Sequence, residues 1–337
     1  MLSAQMAVRN SELSQRVSSF QRASVADGAT LTARVFSSSN NGEDNMPAHP
    51  SRALITGATG QIGRAVLKQL REDTYVEAIV AARSPEKAAG LGFPVVPFDY
   101  DRSETIAPAL EGIDSIFVVT GYTVDMLRQS KTLVDHARKS GVKYIVHLGA
   151  CGPDDVEVAH HGWHQFIERY IEWSGIAYTH LRPEIYMENL LGYGGVPIVR
   201  EGIIRHYIGA GRMSWVDGDD VAAVAAACLR DQGTHSGKTH RLGYEAKTFY
   251  EIAEIMTRVI GQTFTYEPLP AEEFLARLLA AGAEPAYMKS VYQNYSNLAA
   301  GTAVGADETF DNFRELVGRD ANTIERFVKR HRERFVY

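Results

Sequence analysis

From Ser51 onward, short apolar runs alternate with longer stretches in which apolar residues recur every three or four positions. The short runs predict strands at Ala53–Thr56, Glu77–Ala82, Val95–Phe98, Ser115–Val119, Tyr144–Leu148 and Tyr178–Leu181. The longer periods predict helices at Gln61–Arg71, Glu104–Leu110, Met126–Ser140 and Trp163–Trp173. Strands that alternate with helices are typical of a parallel sheet with crossover connections. The pattern therefore predicts an α/β fold built on a doubly wound parallel sheet.

After Pro183 the alternation loosens and helical patterns dominate. The glycine-rich stretch Leu190–Pro197 predicts a loop or lid over a site. Thr248 and Glu251 form a capping-box pattern that opens a helix ending at Ile260. Further helices are predicted at Val221–Leu229, Ala271–Ala281, Pro285–Ala299 and Ala321–Phe335. We expect one domain over residues 51–185 and a small, mainly helical C-terminal subdomain over 186–337, from which some elements return to the first domain.

Residues 1–50 are rich in serine and arginine and show no sustained apolar period. The tripeptide Arg34-Val35-Phe36, followed by serines, resembles a processing site, so residues 1–36 fit a mitochondrial presequence. The alternatives are a disordered tail or upstream codons before a start at Met46, and we favour these because Met46 precedes the first strand by a suitable distance. In every case the segment is left out of the fold.

Composition narrows the class of protein. The chain has 337 residues, of which 45% are hydrophobic, and a formal net charge of −6, which gives no general attraction to nucleic acid or to anionic membranes. No apolar run approaches the length of a membrane span. The two cysteines, Cys151 and Cys228, imply no disulfide framework and fit a reducing compartment. These features predict a cytoplasmic protein, or a mitochondrial one if residues 1–36 are a presequence.

Three glycines, Gly57, Gly60 and Gly63, stand three residues apart between the first predicted strand and the first predicted helix. In this register the first glycine suits a sharp turn, the second lets the backbone approach a phosphate and the third lets the helix pack closely on the strand. Backbone N–H groups at such a helix start hold a pyrophosphate. The motif predicts a dinucleotide site.

The residue at the end of the second strand distinguishes the two nicotinamide dinucleotides. A carboxylate there accepts a hydrogen bond from the ribose 2′-hydroxyl of NAD. This chain instead has Arg83, followed by Ser84 and Lys87. A guanidinium pairs well with a 2′-phosphate, so NADP is favoured and NAD stays possible. Alternatively, Arg83 is a solvated turn residue.

The glycine turn, Arg83, Asp99, Thr120-Gly121, His147-Leu148-Gly149-Ala150 and Leu181-Arg182-Pro183 together resemble the NmrA-like family of atypical short-chain dehydrogenases. The resemblance covers residues 52–335, including the short helical C-terminal part. It implies a Rossmann domain, a smaller substrate domain and a cleft between them. It also implies a set of dinucleotide-binding residues: Gly57, Thr59, Gly60, Gln61, Ile62, Gly63, Arg83, Asp99, Thr120, Gly121 and Pro183.

The catalytic residues of ordinary short-chain dehydrogenases are missing. Those enzymes use a serine, a tyrosine and a lysine four residues after the tyrosine. Counting back from the helix around Tyr170, the lysine position falls on His164, the tyrosine position on His160 and the serine position near Ala150 or Cys151. This departure argues against alcohol dehydrogenation.

Two functions remain open. The first is NADPH-dependent reduction of a quinone-like or other conjugated small molecule, with His160 or His164 supplying a proton or hydrogen bond. The second is a non-catalytic sensor of the dinucleotide that binds a protein partner, as the family's namesake regulators do. Cys151, Tyr186 and Asn189 are candidates for the substrate side. A metal site at His160, His161, His164 and Glu157 is the less favoured interpretation, so no metal is expected.

Overall fold

The computed structural model describes residues 49–192 and 197–337. Its strands, in chain order, are β1 Ser51–Ile55, β2 Val76–Ala82, β3 Val95–Pro97, β4 Ser115–Val118, β5 Tyr144–Leu148, β6 Ala177–Pro183, β7 Ile185–Tyr186, β8 Val199–Arg200, β9 Ile203–His206, β10 Met213–Val216, β11 Lys238–Leu242, β12 Glu245–Lys247 and β13 Thr265–Pro268. Its α-helices are α1 Gln61–Gln69, α2 Pro85–Ala88, α3 Ile106–Ala109, α4 Met126–Lys139, α5 Ala159–Ser174, α6 Gly218–Arg230, α7 Gln232–His235, α8 Phe249–Ile260, α9 Ala271–Ala280, α10 Pro285–Ala300, α11 Phe313–Val317 and α12 Ile324–Arg330.

Seven strands form the central sheet in the order β11-β6-β5-β4-β1-β2-β3. Every neighbouring pair in this sheet is parallel. The strand order reverses between β1 and β4, and in open α/β sheets ligands bind beyond the carboxyl ends of the strands at that point. The predicted Rossmann fold is confirmed, and its topology places a binding crevice at the ends of β1 and β4.

Both faces of the sheet are buried, because successive strand residues point to opposite sides. Leu54, Ile116 and Ile145 belong to the apolar cluster that α4 and α5 cover. Ile55 and Phe117 belong to the opposite cluster, under α1 and α6. Burial on both faces explains why these strands read as nearly continuous apolar runs in the sequence.

Two small sheets and several helices complete the chain. One sheet has the order β12-β10-β7 and the other β13-β9-β8. The predicted capping box at α8 is confirmed: Thr248 Oγ1 accepts from the Glu251 N–H, and the Glu251 carboxylate accepts from the Thr248 N–H. Trp215 on β10 is fully buried and packs edge-on against Phe249.

Some predicted boundaries were wrong. Helix α5 begins at Ala159, four residues before the expected Trp163, because His160 and His161 form its first turn. The last helix begins at Ile324 rather than Ala321, since Thr323 caps it by accepting from the Arg326 N–H. A 3₁₀-helix over Met187–Leu191 occupies the start of the expected glycine-rich loop.

Part of the loop or lid predicted over Leu190–Pro197, residues 193–196, lies outside the described residues, as does the presequence, tail or alternative start predicted within residues 1–48. The predicted boundary near residue 185 stays a prediction. The described residues form one compact unit, and β11 returns to the central sheet from beyond that boundary. Within the described ranges, no helix has the length and apolar character needed to cross a bilayer.

Candidate functional site

A cavity of about 740 Å³ lies at the carboxyl ends of β1, β4, β5 and β6. Its walls come from the glycine turn after β1 and from the segments that follow the other three strands, and the opposite wall comes from α10. The predicted site residues on its surface are Gly57, Gly60, Gln61, Ile62, Gly63, Thr120, Gly121, Cys151, His160, His164, Pro183, Tyr186 and Asn189. The structure therefore gathers most of the residues that the sequence singled out around one space.

The glycine turn has the geometry that its spacing predicts. Gly57 has φ +60°, a left-handed backbone conformation that favours glycine. A Cβ atom on Gly63 would lie 2.2 Å from the carbonyl oxygen of Gly57, so only glycine lets α1 start this close to the turn. Helix α1 begins at Gln61, and in this described segment its first turn has neither a side-chain cap nor an acidic residue. Its first N–H groups are thus available to an anion at the cavity surface.

A buried hydroxyl holds the turn after β1 to the end of β4. Thr56 Oγ1 donates to the Phe117 carbonyl at 2.9 Å and accepts from the Val119 N–H at 2.8 Å. The Tyr100 hydroxyl donates to the Val119 carbonyl at 2.9 Å. These bonds fix Val119 and the Thr120-Gly121 wall beside the glycine turn. The sequence analysis missed Thr56 and Tyr100, although Thr56 ends the first predicted strand.

Three of the predicted dinucleotide residues lie beside the cavity rather than on its surface. Thr59 is exposed at the glycine turn, and its carbonyl accepts from Arg64 Nε at 2.8 Å. Arg83 is exposed at the end of β2, and its charge contributes to lowering the pKa of Asp101, after larger effects of hydrogen bonds from Gln129 and Arg128. Asp99 Oδ1 accepts from the Asp101 N–H at 3.0 Å. Parallel pairing of β2 with β3 brings Arg83 and Asp99 to the same edge, and their roles stay predictions.

His160 and His164 stand one turn apart at the start of α5 and are both buried at the cavity wall. His160 Nδ1 lies 2.8 Å from Ser290 Oγ on α10. Burial lowers the pKa of His160 to about 3 and the pKa of His164 well below its ordinary value. Both imidazoles are therefore neutral at physiological pH and are limited to hydrogen bonding from the neutral ring. Their catalytic role stays a prediction.

Cys151 follows β5 and is buried where the sequence analysis expected the substrate side. Its Sγ accepts from Arg241 Nε at 3.1 Å. Burial nevertheless raises the pKa of the thiol to about 12, so Cys151 is not a thiolate at neutral pH. Tyr186 and Asn189 also reach the cavity, and burial raises the pKa of Tyr186 well above its ordinary value.

An aromatic cluster at the cavity was not predicted. Tyr287 on α10 has its ring centroid 5.3 Å from that of Tyr122, 5.2 Å from that of His160 and 6.0 Å from that of Trp163. Tyr122 is largely exposed, whereas Tyr287 is buried. We call Tyr122, His160 and Tyr287, which line the cavity, the aromatic wall. The sequence signal was weak, because Tyr287 lies on an amphipathic helix far along the chain from the strands it faces.

Glu184 is another residue that sequence reasoning missed. It directly follows Pro183, contributes to the cavity surface and has a carboxylate oxygen 4.0 Å from Arg241 Nη2. Burial raises the pKa of its carboxyl to about 7, against smaller lowering effects of a hydrogen bond with Cys151 and of the Arg241 charge. Its place next to Pro183 was the signal that could have found it.

Two buried groups in the described part of the chain bring three metal-ligating atoms within 4.8 Å of one another: Cys228, His235 and His240, and separately His147, Glu168 and His180. In the first group the two histidines already share a hydrogen bond of 3.1 Å. In the second, the carboxylate of Glu168 is bound by Arg182 at 2.9 and 2.6 Å. Neither group contains the cavity histidines that the sequence analysis weighed as ligands.

Comparison with known proteins identifies the family. The model of the NmrA-like family matches residues 49–316. The chain belongs to the NmrA-like family. The resemblance noted in the sequence is therefore confirmed.

Among the relatives of this chain, an NAD(P)H azoreductase of Xenophilus azovorans is 28% identical over 288 residues, which are 84% of this chain and 98% of the relative. Quinone oxidoreductase 2 of Escherichia coli is 29% identical over 285 residues, which are 81% of this chain and 96% of the relative. The crystal structure of the Citrobacter sp. triphenylmethane reductase complexed with NADP(H) has a TM-score of 0.70 and 27% identity, covering 83% of this chain and 99% of that one.

Proposed function

We propose that this chain is an NADPH-dependent oxidoreductase that reduces a quinone or a similar conjugated small molecule. The observation that carries the proposal is one cavity that extends from the glycine turn to the aromatic wall. The relatives support the class of reaction, since their names describe an azoreductase, a quinone oxidoreductase and a triphenylmethane reductase.

The residues at the glycine turn fit a dinucleotide. A Cβ atom at Gly63 would occupy the space against the Gly57 carbonyl, and one at Gly57 would lie 3.0 Å from the Val119 Cβ, so the backbone cradle depends on glycine. The free N–H groups at the start of α1 would hold the pyrophosphate, and Arg83 would pair with the 2′-phosphate. Pro183 would flank the nicotinamide. When bound, NADPH supplies the hydride.

The aromatic wall suits a flat, conjugated acceptor. Aromatic rings stack favourably on other extended π systems in offset or tilted arrangements. Tyr287 and Tyr122 offer such rings at the cavity surface, with their centroids 5.3 Å apart. Holding a conjugated acceptor close to the hydride donor accounts for much of the rate of such a reaction.

His160 and His164 would act as hydrogen-bond donors or acceptors toward the acceptor, without changing charge. The lowered pKa values exclude a large imidazolium population at neutral pH. In the proposal, these rings orient a carbonyl or other polar group of the substrate. The proton that completes the reaction then has to come from another group.

The test is steady-state oxidation of NADPH under anaerobic conditions with a panel of quinones, azo dyes and cationic triphenylmethane dyes. We expect NADPH consumption that depends on the acceptor. Tyr287→Leu removes the ring from the aromatic wall and should raise KM for a naphthoquinone by about 2–10-fold while KM for NADPH is unchanged.

The matched control is Tyr292→Leu. Tyr292 lies on the same helix, but its hydroxyl donates to Glu272 rather than lining the cavity, so this variant should keep the KM of the parent. Tight NADPH binding with no turnover on any acceptor would contradict the proposal and favour the non-catalytic sensor of a protein partner.

We further propose a small-molecule substrate and a cytoplasmic location. The described cysteines, Cys151 and Cys228, are both free and buried, which suits a reducing compartment. The location is tested by imaging cells that express the full chain and, separately, cells that express a chain starting at Met46. Mitochondrial import of the full chain alone would contradict the cytoplasmic proposal and assign a presequence role to residues 1–36.

A further inference from the structure

Reduction of a quinone needs a proton as well as a hydride, and the cavity histidines are poor sources of one. At neutral pH the pKa values of His160 and His164 leave both rings uncharged. The thiol of Cys151 has a pKa of about 12 and is a weak acid. The cavity therefore needs another group that carries an exchangeable proton near neutral pH.

Glu184 occupies a suitable position. It stands between β6 and β7, directly after Pro183, and its N–H donates to the Leu242 carbonyl at 2.8 Å, which fixes its backbone. A Cβ atom on Gly243 would lie 2.6 Å from Glu184 Cγ, so glycine there leaves the space that the glutamate side chain occupies. The side chain is 11% exposed and contributes to the cavity surface.

The charged and titratable neighbours of Glu184 help to set the pKa of its carboxyl. Cys151 faces it from the end of β5, and Arg241 faces it from β11 at 4.0 Å. Arg241 is also bound by Glu308 at 2.7 Å and lies over the Phe310 ring, so its charge is shared. Burial consequently dominates and raises the pKa of Glu184 to about 7, while Arg241 and Cys151 oppose the rise and Glu308 adds to it.

We propose that Glu184 is the general acid that protonates the reduced acceptor in this cavity. The inference rests on the proposed function, because the hydride comes from NADPH. The Oε–H bond of Glu184 breaks and an O–H bond forms on the acceptor oxygen that becomes anionic as hydride arrives. The acceptor gains one hydride and one proton, and the carboxylate left on Glu184 takes a proton from solvent before the next turnover.

The experiment compares two acceptors in the same variant. A quinone needs the proton, whereas a cationic triphenylmethane dye becomes neutral on gaining hydride alone. Glu184→Gln keeps the size and neutrality of the protonated carboxyl but cannot donate an acidic proton. We expect kcat for the quinone to fall by at least about tenfold, with kcat for the dye and KM for NADPH unchanged.

The pH profile gives a second readout. In the parent protein, kcat for the quinone should fall as pH rises through about 7, because the donor form of Glu184 is lost. This decrease in kcat at high pH should be absent from the dye reaction of the parent and from the quinone reaction of Glu184→Gln. The matched control is Glu308→Gln, which removes the other carboxylate on Arg241 from outside the cavity; it should retain the quinone rate at low pH and move the decrease in kcat to lower pH, because Glu308 helps to raise the pKa of Glu184.

A third readout needs neither cofactor nor substrate. Protein labelled with ¹³C at the glutamate carboxyls should show two resonances that titrate near pH 7, from Glu184 and Glu188, and one of the two should disappear in Glu184→Gln. Equal loss of both reactions in Glu184→Gln would mean that the residue supports the fold, and unchanged rates would mean that it donates nothing; either result overturns the inference. If the parent reduces none of the acceptors, the proposed function itself has failed, and this inference fails with it.

Discussion

Gly63 is the residue at which the close start of α1 can be tested most directly. In Gly63→Ala the new methyl group would lie 2.2 Å from the Gly57 carbonyl oxygen and 2.6 Å from the Ala58 Cα. Both are backbone atoms, so the turn has to move. We expect the free energy of unfolding to fall by about 1–3 kcal/mol and NADPH binding to weaken, as measured by urea denaturation and calorimetry.

Gly90→Ala is the matched control for that substitution. A Cβ atom on Gly90 meets no described atom within 4 Å, and its backbone is not left-handed. The free energy of unfolding should stay the same or rise by about 0.4–1 kcal/mol, since alanine restricts the unfolded chain. If Gly63→Ala were as stable as Gly90→Ala, the packing role of Gly63 would be refuted.

Arg83 determines the choice between the two nicotinamide dinucleotides in our proposal. Arg83→Ala should weaken NADPH binding by about 1–3 kcal/mol, the range of a lost hydrogen bond to a charged group, and leave NADH binding nearly unchanged. Calorimetry with each dinucleotide measures the difference. Arg102→Ala, which removes an exposed arginine paired with Glu104, should affect neither. Equal losses for NADPH and NADH in Arg83→Ala would contradict the assignment.

At the scale of the elements, a buried ion pair joins β6 to α5 beneath the cavity. Arg182 binds the fully buried carboxylate of Glu168 through two nitrogens, at 2.9 and 2.6 Å. A Cβ atom on Gly149 would lie 3.2 Å from the same carboxylate, so the pair also lies directly under the turn after β5. Arg182→Met should lower the free energy of unfolding by about 3–5 kcal/mol, because the buried carboxylate loses both of these hydrogen bonds and keeps only Arg169 at 3.8 Å.

The double variant Arg182→Met, Glu168→Leu should lose less stability than Arg182→Met alone, since no lone charge remains in the interior. Arg258→Met is the control, because Arg258 is a largely exposed residue that pairs with the exposed Glu325. The free energy of unfolding of this control, measured by urea denaturation, should fall by less than about 1 kcal/mol. A single variant that is as stable as the double variant would show that the pair carries no such penalty.

The elements of the central sheet were predictable where burial on both faces imposed long apolar runs, as at Ala53–Ile55 and Tyr144–Leu148. The small sheets were not predictable, because β7 and β8 have only two residues each, and because β7 pairs with the distant β10 and β9 with the distant β13. The start of α5 was placed too late, since His160 and His161 give a weak helical signal by themselves.

The two sides of the site also differ in how far they could be predicted from the sequence. The glycine turn is local in sequence, so the spacing of its three glycines is enough to identify it. Tyr287 and Ser290 meet His160 only after the chain has folded back, and no local pattern marks them. Glu184 was missed for a different reason: its raised pKa comes from burial, which a sequence does not show.

At the scale of the whole molecule, buried histidines determine how stability responds to acid. Burial lowers the pKa of His147 and His206 to about 3 and the pKa of His180 to about 2. Histidine in an unfolded chain titrates near 6.5. Below about pH 6.5 the unfolded chain therefore binds protons that the folded chain does not, and stability falls until the pH passes the folded pKa values.

Three buried carboxyls with raised pKa values, those of Glu184, Glu188 and Asp220, act in the opposite direction. Glu184 and Glu188 have pKa values raised to about 7, so the folded chain binds their protons first and gains stability between about pH 7 and the ordinary glutamate pKa near 4.3. The buried histidines outnumber them, and each contributes a slope of about 1.4 kcal/mol per pH unit. We expect the free energy of unfolding, measured by urea denaturation from pH 8 downward, to decrease below about pH 6.5.

A variant isolates one contribution to this slope. Both ring nitrogens of His147 are buried and have no hydrogen-bond partner among the described residues, so His147→Leu removes a titrating group without breaking a hydrogen bond. Below about pH 6.5, the number of protons that this variant takes up on unfolding should be lower than in the parent by close to one. A stability profile that is flat in the parent, or unaltered in His147→Leu, would contradict the account.

The walls of the cavity come from stretches that lie far apart along the chain, with the glycine turn near one end of the described residues and α10 near the other. In the proposed function, the coenzyme contacts of the glycine turn are thus far along the chain from the acceptor contact of Tyr287 on α10. Mutations in α10 should then alter which compounds are reduced while the coenzyme preference is inherited unchanged. Exchange of α10 between relatives is accordingly one evolutionary or engineering route to a new acceptor range.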